Sequence, residues 1–118
     1  KITYPWKLTL GDYAWVGDDA VLYTLGEITI GANSVVSQKC YLCTGSHDFM
    51  SQHFDITASP IVIGEKCWLA TDVFVAPGVS VGDGTVVGAR SSVFKSLPAN
   101  KICRGNPAVV IRERVETD

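Results

Sequence analysis

The chain has 118 residues, of which 47% are hydrophobic, and a formal net charge of −2 at pH 7. This length suits a single domain, residues 1–118, with a buried core, and the hydrophobic content excludes general disorder. The weakly acidic balance gives no reason to expect a nucleic-acid partner, and no apolar run approaches the roughly twenty residues that a membrane span needs.

The N-terminal part of the chain carries a six-residue hydrophobic spacing. Leu10, Val16 and Leu22 stand six residues apart, and Gly11 and Gly17 directly follow the first two. This period fits neither an α-helix nor a hairpin, but it suits a chain that turns a corner every six residues and stacks upon itself. Because the chain begins with Lys rather than Met and enters the repeat almost at once, we expect an N-terminal segment to be missing.

The repeat resumes after a short interruption. A second run with the same spacing comprises Ile30, Val36 and Leu42. Because eight residues separate Leu22 from Ile30, we predict that residues 24–27 bulge at a corner. The aliphatic residues of both runs are predicted to point into the solenoid.

A longer interruption precedes the third run. Leu42 and Ile63 are 21 residues apart, which is not a multiple of six, so residues 46–60 are predicted to form an extruded loop. The two histidines of the chain, His47 and His53, both lie in this loop. Since loops held out from a rigid scaffold commonly carry chemistry, this loop is the first place to look for function.

The third run is the longest. Its aliphatic residues at six-residue steps are Ile63, Leu69, Val75, Val81, Val87 and Val93. Gly or Ala follows each of them except the last, which is followed by Phe94, and these small residues let the backbone bend. Twelve in-phase positions, at three sides of six residues per coil, predict about four coils of parallel β-solenoid. The tail, about residues 99–118, is predicted to turn at Asn106-Pro107 and to form a short helix over residues 108–116.

Four cysteines raise the question of a metal site or a disulfide. Cys40 and Cys67 occupy small corner positions of the repeat, and no second C-x-x-C accompanies Cys40 and Cys43. We therefore interpret the cysteines as packing residues and expect no metal. Free thiols favour a reducing compartment, so the predicted location is the cytoplasm.

Four segments together carry a family resemblance. They are YPWKLTLGDYAWVG, ITIGANSVVSQKCYLCTGSHDF, PIVIGEKCWLA and VGARSSVFKSLPANKICRGNPAVVIR. They resemble the hexapeptide-repeat O-acetyltransferases, in particular the colanic-acid-type subgroup related to maltose and galactoside acetyltransferases. The resemblance implies an all-β fold, a left-handed parallel β-helix, assembled as a homotrimer. It also implies an enzyme that moves the acetyl group of acetyl-CoA to a hydroxyl of a sugar or saccharide precursor.

The resemblance gives the loop histidine a role. His47, in the segment TGSHD, matches the general base of the family. A sugar hydroxyl is too weakly acidic to attack a thioester unaided, whereas an imidazole with an unperturbed pKa of about 6.5 can accept its proton near neutral pH. Asp48 is a candidate for orienting the ring of His47. The alternative interpretation of His47 is a surface-loop histidine, and for His53 a solvent-exposed or packing residue is the favoured one.

Five further residues match positions around the cofactor in the family: Trp68, Thr71, Ala89, Lys95 and Arg112. By resemblance, Thr71 and Ala89 contact the pantetheine arm. Lys95 and Arg112 match basic residues that meet the nucleotide phosphates, and solvated charge is the alternative for both. Trp68 matches a residue near the acceptor, and packing against a neighbouring subunit is its alternative.

Six aromatic residues fall mainly on the outer faces of the predicted coils: Trp6, Tyr13, Trp15, Tyr23, Tyr41 and Phe74. Such aromatic surface is expected at subunit contacts, in agreement with the implied trimer. Residues 48–60 and 18–24 are expected to line the acceptor pocket. Phe94 stands where relatives often have Thr, so one hydrogen bond to coenzyme A is in doubt.

Two other functions stay open at this point. Carbonic anhydrases on the same fold take three histidine ligands for zinc, whereas this sequence holds His47 and His53, so an unusual ligand set would be needed. A non-catalytic solenoid that serves as an assembly platform is also compatible with the sequence, because fold does not imply function. Saturable binding of CoA distinguishes the enzyme from the platform, and a zinc assay distinguishes it from the anhydrase.

Overall fold

Short parallel strands stack into four successive coils. The structure, a computed structural model, describes residues 1–115 of the chain. The first coil consists of β1 (Leu8–Leu10), β2 (Trp15–Val16) and β3 (Val21–Tyr23), and the second of β4 (Ile28–Ile30), β5 (Val35–Val36) and β6 (Tyr41–Cys43). A hairpin follows, made of β7 (Gly45–His47) and β8 (Ile56–Ala58). The third coil consists of β9 (Ile61–Ile63), β10 (Trp68–Leu69) and β11 (Phe74–Val75), and the fourth of β12 (Ser80–Val81), β13 (Val86–Val87) and β14 (Ser92–Val93).

Equivalent strands of successive coils pair side by side and build the three faces of a prism. Face 1 consists of β1, β4, β9 and β12, and face 3 of β3, β6, β11 and β14. Face 2 consists of β2, β5, β10 and β13, and β15 (Lys101–Gly105) and β16 (Ala108–Glu113) extend it at one end. We call the edges of the prism corners 1/2, 2/3 and 3/1, in the order in which each coil passes them.

A ladder of aliphatic side chains fills the interior of the prism. The inward positions that the sequence predicts and that are buried are Leu22, Ile30, Val36, Leu42, Ile63, Leu69, Val75, Val81, Val87 and Val93. Leu10, in the first coil, is 48% exposed, because a terminal coil has a neighbouring coil on one side. Full burial of one such side chain stabilises the fold by roughly 1.5–3 kcal/mol relative to exposure, so the ladder is the main stabilising element of the solenoid.

The short interruption of the repeat lies at corner 3/1 of the first coil. Leu8 pairs with Ile28, which makes this coil 20 residues long (28 − 8), whereas Trp68 and Val86 are 18 residues apart (86 − 68). The two extra residues lie between β3 and β4, as predicted for residues 24–27. The buried Thr24 holds this corner, because its hydroxyl accepts a hydrogen bond from the Tyr4 N–H and donates one to the Tyr4 carbonyl.

The C-terminal tail is a strand where a helix was expected. For the described part of residues 108–116 the helix prediction is wrong, because β16 pairs antiparallel with β15 and Asn106-Pro107 forms the turn between them. Residues 116–118 lie outside the described part of the chain. The run from Val109 to Ile111 contains three β-branched residues, which favour a strand, and the edge of β15 offers backbone groups for pairing.

Helical structure is scarce in the described residues. Within residues 1–115 the helix that is present is a single 3₁₀ turn, Pro5–Lys7. No helix in this part of the chain has the length and apolar character needed to cross a bilayer.

Candidate active site

The extruded loop is an antiparallel hairpin that leaves the prism at corner 3/1 of the second coil. Gly45 pairs with Ala58 at its base, and His47 pairs with Ile56 further out. The buried Thr44 anchors the base, because its hydroxyl donates to the Tyr23 carbonyl at 2.6 Å and accepts from the Gly26 N–H at 2.7 Å. The hairpin is therefore fixed to the first coil at its base, whereas most of its side chains are exposed.

His47 is the last residue of β7 and its side chain is exposed. Its Nδ1 lies 2.9 Å from the carbonyl oxygen of Phe54, across the hairpin. A carbonyl oxygen can only accept a hydrogen bond, so this contact assigns the proton of the neutral ring to Nδ1. Nε2 then carries the lone pair, which is the arrangement that a general base requires.

Asp48 holds the turn at the tip of the hairpin. Its carboxylate accepts a hydrogen bond from the Met50 N–H at 2.9 Å, and its own N–H donates to the Asp55 carbonyl at 2.8 Å. The hydrogen bond that orients the ring of His47 comes from the Phe54 carbonyl. Sequence reasoning considered Asp48 for that task and missed Phe54, because a backbone carbonyl leaves no signal in the sequence.

Thr71 and Ala89 lie together at corner 2/3, in successive coils. Each stands three residues beyond a member of the pair Trp68–Val86, and the N–H of the next residue, Arg90, donates to the Thr71 carbonyl at 2.9 Å. The Thr71 hydroxyl donates to the backbone carbonyl of Gln38, one coil earlier, at 3.1 Å. Small side chains therefore follow one another along this corner, which leaves space beside the backbone.

Trp68 lies on the outer surface of face 2 and is 50% exposed. Its indole N–H donates to the Ser37 hydroxyl at 3.0 Å, which fixes the ring plane. Pairing across the sheet links Trp68 to Val86, Val86 to Ile102, and Ile102 to Arg112. Arg112 therefore shares the outer row of Trp68 at a distance of three strands, roughly 14 Å.

Lys95 lies at corner 3/1 of the fourth coil, between β14 and the residue that pairs with Val81, and it is exposed. Phe94, just before it, extends a row of rings on face 3. The ring centroids of Tyr41 and Phe74 are 5.8 Å apart, and those of Phe74 and Phe94 are 5.9 Å apart. His47 and Lys95 thus share corner 3/1, two coils apart.

The residues that the sequence selected do not converge within one chain. His47 and Lys95 lie at corner 3/1, Thr71 and Ala89 at corner 2/3, and Trp68 and Arg112 on face 2. Face 3 separates the histidine from the corner of small residues. A site that uses all of them has to be completed by a second surface.

A cavity of about 400 Å³ opens at corner 2/3 between the first two coils. Its lining residues are Trp15, Gly17, Asp18, Asp19, Gln38 and Lys39. Sequence reasoning pointed to residues 18–24 but missed Gln38 and Lys39, which come from the next coil. The signal lay in the coil length, because a 20-residue first coil sets Trp15 opposite Val35 and therefore brings these two corners together.

The cysteines are structural in character. All four are free, and Cys40, Cys67 and Cys103 are buried. Burial raises the pKa of the Cys40 and Cys67 thiols, which keeps them neutral at pH 7. Within residues 1–115, no group of three His, Cys, Asp or Glu side chains is arranged to hold a metal ion.

These features define a class of protein. Residues 60–95 match the family described as "Bacterial transferase hexapeptide (six repeats)". The chain belongs to the hexapeptide-repeat family, and its fold is the left-handed parallel β-helix of that family, as expected.

A curated relative and two solved structures agree with this assignment. All 118 residues are 87% identical to WcaF of Escherichia coli (strain K12), a protein named for an acetyltransferase of colanic acid biosynthesis. The chain spans 65% of the length of that relative. A maltose O-acetyltransferase from Clostridium difficile 630 superposes with a TM-score of 0.94 at 28% identity, over 98% of this chain and 64% of the other. A hexapeptide-repeat acetyltransferase from Vibrio cholerae O1 biovar eltor, complexed with acetyl coenzyme A, gives 0.92 at 25% identity over the same shares.

Proposed function

We propose that the protein of which this chain spans the β-helix is an acetyl-CoA-dependent O-acetyltransferase acting on a saccharide, with His47 as general base. The observation that carries this proposal is the hydrogen bond between His47 Nδ1 and the Phe54 carbonyl, which leaves Nε2 as a proton acceptor. Support also comes from the relatives, which are named for colanic acid biosynthesis and for maltose O-acetylation, and from the neighbour complexed with acetyl coenzyme A.

The proposed reaction needs one base. Nε2 of His47 takes the proton of the sugar hydroxyl while the oxygen attacks the thioester carbonyl. A C–O bond forms and the C–S bond of acetyl-CoA breaks. The imidazolium then returns its proton to the departing thiolate, so the products are the acetyl ester and CoA. A positioned base of this kind contributes about 10² to 10⁴ in rate.

We propose that the catalytic centre lies between two chains of a homotrimer. His47 and the small residues at corner 2/3 flank opposite edges of face 3, so the hairpin of one chain would meet corner 2/3 of the next. The exposed indoles of Trp15 and Trp68 on face 2 support such a contact, because large exposed aromatic side chains are typical of interfaces. Burial of both rings in the assembly would stabilise it.

The remaining residues receive roles in this proposal. Thr71 and Ala89 leave a slot for the pantetheine arm, and Lys95 and Arg112 neutralise the phosphates of the nucleotide. Trp68 borders the acceptor, with its ring held by Ser37. Asp48 keeps the hairpin turn in place and acts on the base only through the backbone.

Replacement of the imidazole tests the proposal. His47→Asn is the sharpest variant, because an amide N–H can still donate to the Phe54 carbonyl while the base is lost. In the full-length protein we expect acetyl transfer, followed as thiol release from acetyl-CoA with a panel of saccharides, to fall by about 10² to 10⁴. CoA affinity, measured by calorimetry, should stay within about twofold. His53→Asn is the matched control from the same hairpin and should retain activity.

Three results would contradict the proposal. Retained turnover in His47→Asn would remove the base assignment. Absence of saturable CoA binding by the unaltered protein would favour the non-catalytic assembly platform. Stoichiometric zinc in the purified protein together with bicarbonate formation would favour the anhydrase.

A further inference from the structure

The cavity at corner 2/3 of the first two coils has the dimensions of a small-molecule site. Its volume of about 400 Å³ lies within the range of roughly 300–1,000 Å³ typical of ligand pockets. Close approach of the two coils at Gly17 shapes it, because a Cβ added there would lie 2.6 Å from the Gln38 nitrogen. One side of the cavity is therefore bare backbone, which a ligand can approach closely.

An indole stands at the edge of this cavity. Trp15 is 66% exposed although it is the largest side chain of its strand. It pairs with Val35, which in turn pairs with Trp68, so the cavity is continuous with the outer row of face 2. A flat apolar ring beside polar groups suits a ligand that has one apolar C–H face and a rim of hydroxyls, as a pyranose has.

The polar groups of the cavity are mainly hydrogen-bond acceptors. Asp18 and Asp19 contribute two carboxylates, Gln38 an amide and Lys39 one ammonium group. Carboxylates accept charge-assisted hydrogen bonds from hydroxyls, and two of them can fix a pair of neighbouring sugar hydroxyls. The net charge of the lining side chains is negative, so a ligand that carries its own carboxylate or phosphate would be repelled.

We infer that this cavity is the acceptor subsite, that Trp15 is its stacking platform, and that Asp18 and Asp19 select a neutral saccharide against an anionic one. The inference rests on the proposed function, which it deepens by naming the charge class of the acceptor. The cavity adjoins the proposed pantetheine slot directly, because the Thr71 hydroxyl donates to the Gln38 carbonyl. A hydroxyl held in the cavity therefore lies one coil from the thioester.

Two matched ligands test the charge selection without acetyl transfer. Methyl glucoside and methyl glucuronide differ in one carboxylate, and saturation-transfer NMR on the full-length protein measures the binding of each. We expect the glucoside to bind about tenfold more tightly. In Asp18→Asn/Asp19→Asn this preference should shrink to about twofold. Asp19 has a positive φ of 59°, a conformation that Asn tolerates well, so the variant should keep the local backbone.

Trp15→Ala tests the stacking platform. We expect about a tenfold loss of glucoside affinity and the same rise in acceptor KM, with KM for acetyl-CoA unchanged. Trp6→Ala and Asp12→Asn serve as controls, because they remove an exposed indole and an exposed carboxylate that do not line the cavity. Both should bind the glucoside as the unaltered protein does.

The outcomes separate this inference from the proposed function. Selective glucoside binding that depends on Trp15, in a protein without acetyl transfer, would retain the subsite and refute the enzyme. Acetyl transfer that is indifferent to Trp15 and to the two carboxylates would retain the enzyme and refute the subsite. Equal affinity for glucoside and glucuronide would refute the charge selection. Loss of the trimer in Trp15→Ala would assign the indole to the subunit contact and overturn its role as platform.

Discussion

A single methyl group at the base of the hairpin should displace the proposed base. A Cβ added at Gly45 would lie 2.7 Å from Cε2 of Tyr23 and 3.0 Å from Cδ2 of Leu25. Carbon atoms in favourable contact are about 3.5–4.0 Å apart, so Gly45→Ala requires a movement of roughly 0.8 Å. Tyr23 belongs to face 3 and its carbonyl binds Thr44, whereas the hairpin is free beyond its base. The hairpin, which carries His47, should therefore move.

A displacement of about 1 Å at a reacting group can lower the rate about 10²-fold. For Gly45→Ala in the full-length protein we expect kcat for acetyl transfer to fall about 10- to 100-fold, while Tm changes by less than about 3 °C because the ladder is untouched. Tyr23→Leu removes the ring edge, so the double variant with Gly45→Ala should recover most of kcat. Gly26→Ala, whose nearest neighbour would lie at 3.3 Å, is the mild control. An unchanged kcat in Gly45→Ala, or no recovery in the double variant, would refute this reasoning.

Two further predictions concern stability. Gly31→Ala would place its Cβ 2.6 Å from the backbone carbonyl of Gly64 on the next coil, so we expect a loss of about 1–3 kcal/mol, seen by calorimetry as a Tm lower by roughly 4–10 °C. A Tm within 1 °C of the unaltered protein would show that the coils can separate at little cost. Burial raises the pKa of the Cys67 thiol, so the folded state retains this proton to higher pH than the unfolded chain does. The stability contributed by the neutral thiol is complete below the unfolded pKa of about 8.5 and is lost as pH rises towards the folded value. Cys67→Ala should therefore flatten the fall of the urea midpoint between about pH 8 and 10, and an equal slope in both proteins would contradict this.

The coil architecture could be predicted because the interior of the prism is narrow. A side chain at an inward position has to be apolar and of medium size, so Leu69, Val75 and Val81 repeat at a fixed step and reveal the corners between them. The interruptions were equally visible, since a shift of phase has to be absorbed at a corner. The position of β16 was less visible, because antiparallel pairing with β15 replaces the parallel rule of the coils and the sequence contains no marker for that change.

The candidate site was predictable in its side chains and hidden in its backbone. His47 is marked by its own chemistry and by the segment around it. The Phe54 carbonyl that fixes its tautomer could belong to any residue of the hairpin, because every residue has a carbonyl. The cavity is a similar case, since Gln38 meets Asp18 only through the register of two coils.

The distribution of these residues over the prism has a geometric consequence for the proposed function. One side of a coil comprises about six residues, which span at most about 20 Å at 3.3 Å per residue. His47 stands three residues beyond Thr44 at corner 3/1, so its backbone can extend only about 10 Å along face 3. Proton transfer requires heavy atoms about 3 Å apart, and a single chain leaves a gap of several ångströms to corner 2/3. Because the ladder makes the prism rigid, the gap cannot be closed by bending, and a neighbouring chain has to present its corner to the hairpin. Under the proposed function, assembly is therefore a condition for catalysis as well as for stability.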